Sequence, residues 1–103
     1  KPVEDQSPEV LTAVQIFGNS LRVAVVRQLY SGPKHRSDIV KAVDASQVSV
    51  SHQLQYLGER GLTQEEVVAG RGRPIVYSLN RQRLDSLLDA LTTYIEARNE
   101  QVP

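Results

Sequence analysis

The chain has 103 residues, 12 Lys or Arg against 12 Asp or Glu, and no cysteine, methionine or tryptophan. Without cysteine there is no disulfide, thiolate metal site, cysteine nucleophile or thiol redox switch. No apolar run approaches the ~18 residues a membrane span needs, and nothing resembles a secretory signal, so a cytoplasmic location is expected.

A chain of this length makes one domain with a modest core. Phe17 and four tyrosines are its only aromatics, so that core must be aliphatic. The net charge of zero is unevenly spread: residues 1–19 carry −2, residues 20–83 carry +5 and residues 84–103 carry −3. A basic middle between acidic ends can focus positive potential on one face. The pI of 6.9 nevertheless lies well below the value of about 9 typical of strongly basic nucleic-acid binders.

Residues 1–6 are polar, include Pro2, and read as a flexible arm ahead of a single domain over residues 7–103. Ser7-Pro8-Glu9 is a helix start, with Ser7 as N-cap and Pro8 at the first helical position. Val10, Leu11, Val14 and Phe17 follow at helical spacing until Gly18-Asn19. Asn19 or Ser20 then caps a second helix, Leu21 to Tyr30, apolar on most sides and therefore central. Ser31-Gly32-Pro33 ends it, and Ser37 is the expected cap of a short third helix with Ile39, Val40 and Val43 inward. Asp44-Ala45 makes a turn, and Ser46 caps a fourth helix, Gln47 to Arg60. Two helices joined by so short a turn have helix-turn-helix spacing. Gly58 in the fourth helix implies either close packing against another helix or solvent exposure.

That fourth helix carries the strongest chemical signal. Val50, Leu54 and Leu57 form its apolar side. Its opposite side holds Gln47, Ser49, Ser51, His52, Gln53 and Gln55, where a solvated helix ordinarily displays Lys and Glu pairs. Short uncharged donors and acceptors are the side chains that read base edges in a DNA major groove. Val48 is apolar on this polar side, suited either to a thymine methyl or to packing within the chain.

After Gly61 the period becomes extended. Leu62 to Ala69 and Pro74 to Leu79 flank Gly70-Arg71-Gly72-Arg73, the pattern of a hairpin. Arg71 and Arg73 either keep the tip soluble or touch a phosphate backbone, which the flanking glycines allow. Asn80 caps a last helix with a wide stripe of Leu84, Leu87, Leu88, Leu91, Tyr94 and Ile95. This stripe, with Leu11 and Val14 of the first helix, is either self-covering core or the seam of a homodimer, and a dimer is favoured. Arg81 and Arg83 oppose the dipole at that helix's start, a mild sign of an anionic partner. Lys34, His35 and Arg36 precede the third helix and are either a plain basic loop or, with that helix's free N–H groups, a phosphate site.

Helix, helix, helix-turn-helix, hairpin, helix is the order of a winged helix-turn-helix: mainly α with a two-stranded wing. The segment V-D-A-S-Q-V-S-V-S-H-Q-L-Q-Y-L-G-E-R-G-L, Val43 to Leu62, resembles the recognition segment of the ArsR-type (arsenical-resistance repressor) family, approximately S-Q-x-x-V-S-x-H/Q-L-x-x-L-x-x-x-G-L. The run G-R-G-R-P-I-V-Y-S-L resembles that family's wing, and the likeness extends from about Ile16 into the last helix. The resemblance implies a homodimeric, cytoplasmic prokaryotic transcription regulator that binds double-stranded DNA. Residues matching Gln47, Val48, Ser51 and His52 face the DNA in such proteins, the wing tip matching Arg71 and Arg73 reaches minor groove or backbone, and the terminal helices pair.

The family's metal-sensing residues are not matched. There is no cysteine, the last helix has no histidine, and Asp85 and Asp89 read as an acidic outer face. No metal and no cofactor are expected.

The inventory also excludes an enzyme. Neither histidine lies in a triad or ligand motif, and Gly-Arg-Gly-Arg lacks the lysine and following helix of a phosphate-binding loop. The favoured function is a sequence-specific DNA-binding repressor. Its contacts would be Gln47, Val48, Ser49, Ser51, His52 and Gln53 to bases, Arg71 and Arg73 from the wing, and Lys34, Arg36, Ser37 and Arg81 to phosphate. The rivals are a winged helix used for protein interaction and a regulator answering an unidentified effector.

Overall fold

The computed structural model describes residues 5–69, 72 and 75–101. The elements run α1 (Pro8–Phe17), α2 (Ser20–Tyr30), α3 (Arg36–Val43), α4 (Gln47–Glu59), β1 (Thr63–Val67), β2 (Ile75–Leu79) and α5 (Arg81–Gln101). Four helices start where a short polar side chain takes up an orphan N–H. Ser7 Oγ accepts from Val10 N, Asn19 Oδ1 from Arg22 N, Ser46 Oγ from Ser49 N, and Asn80 Oδ1 from Arg83 N.

The exception is α3. Ser37 is not its cap: the helix begins at Arg36, with His35 as N-cap and no side-chain cap hydrogen bond. The hairpin sets this boundary. Lys34 pairs with Tyr77 through backbone bonds of 3.0 and 2.8 Å, and His35 Nδ1 bonds the Ile75 carbonyl at 2.9 Å. Residues 34 and 35 are thereby held extended, and the chain can turn helical only after them. At the other end Asp44 adopts φ 55° and donates its N–H to the Val40 carbonyl. This left-handed step, which Asp tolerates better than most residues, makes the turn into α4.

The α4-to-wing connection is a Schellman motif. Leu62 N donates to Leu57 O at 3.0 Å and Gly61 N to Gly58 O at 3.1 Å, with Gly61 at φ +78°. Leu57 and Leu62 are both fully buried, which supplies the apolar contact that accompanies this cap. Gly58 is exposed, and a Cβ there would touch Thr63 at 3.6 Å. Gly58 therefore borders the start of the wing, not another helix. Thr63 itself is buried and donates its hydroxyl to Leu54 O.

The two strands pair antiparallel from Thr63↔Leu79 to Val67↔Ile75. The aliphatic core joins Ala13 and Ile16 of α1, Val25, Val26 and Leu29 of α2, Ile39 of α3, Val50, Leu54 and Leu57 of α4, Leu62, and Leu84 and Leu87 of α5. Leu84 and Leu87 were placed by sequence on a dimer seam, but they are 6% and 0% exposed within the protomer. They pack inward because α5 lies along α1, so Leu11, Val14, Leu88, Leu91, Tyr94 and Ile95 remain for the outer side. Of the expected arm, residues 1–4 lie outside the described residues, and Asp5 accepts a hydrogen bond from the Tyr94 hydroxyl at 3.0 Å. Among the described residues no single helix is long and apolar enough to cross a membrane.

Gly61→Ala should lower stability by about 1–2 kcal/mol, the left-handed cost for a residue with Cβ. The new methyl meets nothing closer than Arg83 Nε at 3.8 Å, so the loss is backbone strain alone. Urea unfolding checks this: an unchanged midpoint would show that the φ at this cap is not a constraint.

Candidate nucleic-acid interface

The buried stripe Val50, Leu54 and Leu57 fixes the rotation of α4 about its own axis. Successive residues advance about 100° around a helix, which puts Val48, His52, Gln55 and Glu59 opposite that stripe; all four are exposed. Gln47, in the first turn, is exposed as well. The side chains of Gln47 and His52 make no hydrogen bond to any described residue, so their donors and acceptors are open to a ligand.

The other polar residues of α4 are engaged at home. Ser49 Oγ accepts from Ser46 Oγ at 3.0 Å, and Ser51 Oγ accepts from Arg36 Nη1 at 3.3 Å. Gln53 Oε1 accepts from Arg22 Nε at 2.8 Å. These three residues are half-buried on the flanks of the helix. The Ser51 and Gln53 bonds tie α4 to α3 and α2, the Ser49 bond stays within the helix's own cap, and the outward set is narrower than composition suggests.

Beside this face lies an open groove of ≈ 460 Å³ lined by His35, Arg36, Ser37, Gln47, Ile75 and Tyr77. The positive ends of α3 and α4 both border it. A carbonyl only accepts, so the contact with Ile75 O means that His35 Nδ1 carries its proton. That imidazole ties the wing to the helix-turn-helix, a role no local sequence signal discloses because its partner is 40 residues away. Arg36 and Ser37 stand at the groove's edge. The predicted wing residues Arg71 and Arg73 lie outside the described residues.

Two other cations placed at phosphate by sequence have intramolecular work. Lys34 Nζ donates to Gln28 O at 2.8 Å and Ser31 Oγ at 2.7 Å, neutralising the C-terminal end of α2. Arg81 stacks 3.8 Å over the Tyr30 ring and donates to Tyr30 O. Arg83, also at the unfavourable dipole end of α5, has its counter-charge in Glu9 at 2.9 Å and donates to Arg60 O. The anionic group implied by that placement is thus supplied by α1.

Sequence reasoning missed Arg22 and Tyr56. Arg22 Cζ lies 3.6 Å and Arg60 Cζ 3.4 Å from the Tyr56 ring centroid. Two guanidinium groups so close to one centroid must take opposite faces of the ring. Arg22 also donates to Gln15 O at 2.8 Å, so one side chain joins α1, α2 and α4. Its partners run from Gln15 through Gln53 to Tyr56, and no periodic pattern marks them.

Among the described residues no cluster of three or more His, Cys, Asp or Glu side chains stands together as a metal-ligand set.

Residues 19–64 match the model of the bacterial regulatory protein, arsR family. The chain is 37% identical over 90 residues to the HTH-type transcriptional regulator NmtR of Mycobacterium tuberculosis, covering 85% of this chain and 72% of NmtR. The chain belongs to the ArsR family. It is a DNA-binding transcription regulator and not an enzyme. Among solved structures, the antimony-specific transcriptional repressor AntR superposes with a TM-score of 0.61 at 27% identity over 96% of both chains. The transcriptional repressor BigR from Xylella fastidiosa shares the fold, with a TM-score of 0.67 at 20% identity over 89% of both chains. The ArsR match spans α2 to the first residues of β1, the stretch that contains the helix-turn-helix.

Arg22→Ala should destabilise this ArsR-family fold by about 2 kcal/mol, since it removes charge-assisted hydrogen bonds and a stacked cation. Arg22→Lys should recover less than half of that, because an ammonium lacks the planar fork. Equal stability of the Lys variant and the parent in urea unfolding would reduce Arg22 to a simple positive charge.

Proposed function

We propose that the chain is a homodimeric repressor whose α4 enters the major groove, with Gln47, Val48 and His52 against base edges. The observation that carries this reading is the rotational setting of α4: the residues opposite its buried stripe are exposed, and both Gln47 and His52 keep their polar atoms unoccupied. Ser51 and Gln53 act behind them by holding the helix in place. Arg36 and Ser37, at the groove between the two helix starts, meet the phosphate backbone together with Arg71 and Arg73 of the wing. A location in the cytoplasm follows from that role.

Pairing uses the outer side of α1 and α5. Val14, Leu88 and Ile95 are 49%, 43% and 57% exposed there, beside the half-buried Leu11, Leu91 and Tyr94. Two copies joined in this way present two α4 helices to successive grooves, about 34 Å apart.

Capture of genomic fragments followed by an electrophoretic shift tests the reading. A specific complex whose affinity falls with salt is expected; no shifted fragment would leave a protein-interaction role in its place. Gln47→Ala and His52→Ala should each erode preference for the selected operator by about 1–3 kcal/mol while leaving the salt dependence intact. Arg71→Ala should do the reverse, weakening every duplex alike and lowering the salt slope by about one phosphate. Exchange of these two outcomes would reverse the base and backbone assignments.

Leu88→Glu should shift sedimentation toward monomer and abolish binding to a two-half-site operator. A dimer that persists in this variant would move the seam elsewhere.

A further inference from the structure

Val48 is 65% exposed and lies opposite the buried stripe of α4. By sequence it suits either packing inside the protomer or contact with a base, and exposure of that size removes the first. It gives the helix itself nothing, since a β-branched side chain in a helical turn lowers propensity slightly. Its companions on that face, His52, Gln55 and Glu59, are all polar. A lone exposed valine is ordinary on a protein surface, but this one occupies the first turn of the helix that faces DNA, the turn whose side chains reach base edges.

The major groove offers one apolar feature, the C5 methyl of thymine. We propose that Val48 reads a thymine methyl in the operator, next to the base contacted by His52. This rests on α4 being the recognition helix. Val48 and His52 are four residues and one turn apart, about 6 Å along the helix. Base pairs follow each other every ~3.4 Å, so the thymine lies within about two pairs of the His52 contact. The stiff χ1 of valine presents both its methyl groups in a fixed direction, so little freedom is lost on contact. Discrimination then comes from a shape match beside the polar contacts of Gln47 and His52.

The test uses the operator duplex selected from genomic fragments. Each thymine is replaced in turn, symmetrically in both half-sites, by deoxyuridine, which lacks only the methyl. At one position the substitution should weaken binding by about fourfold per methyl, the loss expected for one buried carbon. Val48→Ala should weaken the thymine duplex by a similar factor and bind thymine and deoxyuridine duplexes alike at that position. Equal affinity of the parent chain for every deoxyuridine duplex would overturn the proposal. So would a methyl effect that persists in Val48→Ala, because another group would then be reading it. Should no fragment be selected at all, the recognition-helix reading fails and this proposal fails with it; a selected operator indifferent to deoxyuridine sinks the proposal alone.

Discussion

The phase of α4 is the constraint on which the rest depends. Val50, Leu54 and Leu57 are fully or almost fully buried where α4 packs on α2, α3 and the start of β1, and burying each contributes about 1.5–3 kcal/mol relative to exposure. Rotating the helix by one residue would bring a serine or glutamine into that core and expose a leucine or valine. The outward position of Val48 and His52 is therefore not a separate feature of the molecule. It is the other side of the same packing, enforced from the Schellman cap at one end by the fully buried Leu57 and Leu62, and at the other by the Ser46 cap and the left-handed Asp44.

The same economy governs charge. The basic middle of the sequence looks like a phosphate-binding band, yet much of it is consumed internally. Arg22 and Arg60 enclose Tyr56, Lys34 closes the end of α2, Arg81 lies on Tyr30, and Arg83 answers Glu9. Each holds two elements together or ends a helix. A neutral chain that spends its cations in this way has fewer left for non-specific attraction to DNA, which is chiefly a matter of neutralised phosphates. On the proposed reading, more of its discrimination rests on the narrow outward face of α4.

What the sequence revealed and what it hid divide along a physical line. The caps at Ser7, Ser46 and Asn80, and Asn19 as one of two candidates, were legible because donor and acceptor lie three residues apart. The hairpin was legible from its β-branched runs around a glycine-rich turn. The start of α3 was not, since it is set by pairing with Tyr77 and Ile75, some 40 residues on. Leu84 and Leu87 share one stripe with Leu88 and Ile95, and a 3.6-residue period cannot divide self-covering core from outer surface within a stripe this wide. The polar side of α4 was recognised as a whole, but the separation of Ser51 and Gln53 from Gln47 and His52 depends on Arg36 and Arg22, residues that no spacing rule connects to it.

Arg22 links that separation to the proposed pairing of two copies. Its guanidinium bonds the backbone of α1, the side chain of Gln53 on α4 and, by stacking, Tyr56, while α1 packs along α5. A recognition helix serves two half-sites only if its angle to the dimer seam is fixed. In the proposed dimer that angle is set where α1 and α4 are joined, through Arg22 and through the Tyr56 hydroxyl, which lies 3.5 Å from Gln15 Oε1. A loose connection would let each α4 sample many orientations and lose affinity for a fixed spacing through the entropy of ordering it. In that proposed dimer the stacked Arg–Tyr–Arg unit is the joint between α1 and α4, and it is built from partly exposed, non-aliphatic groups.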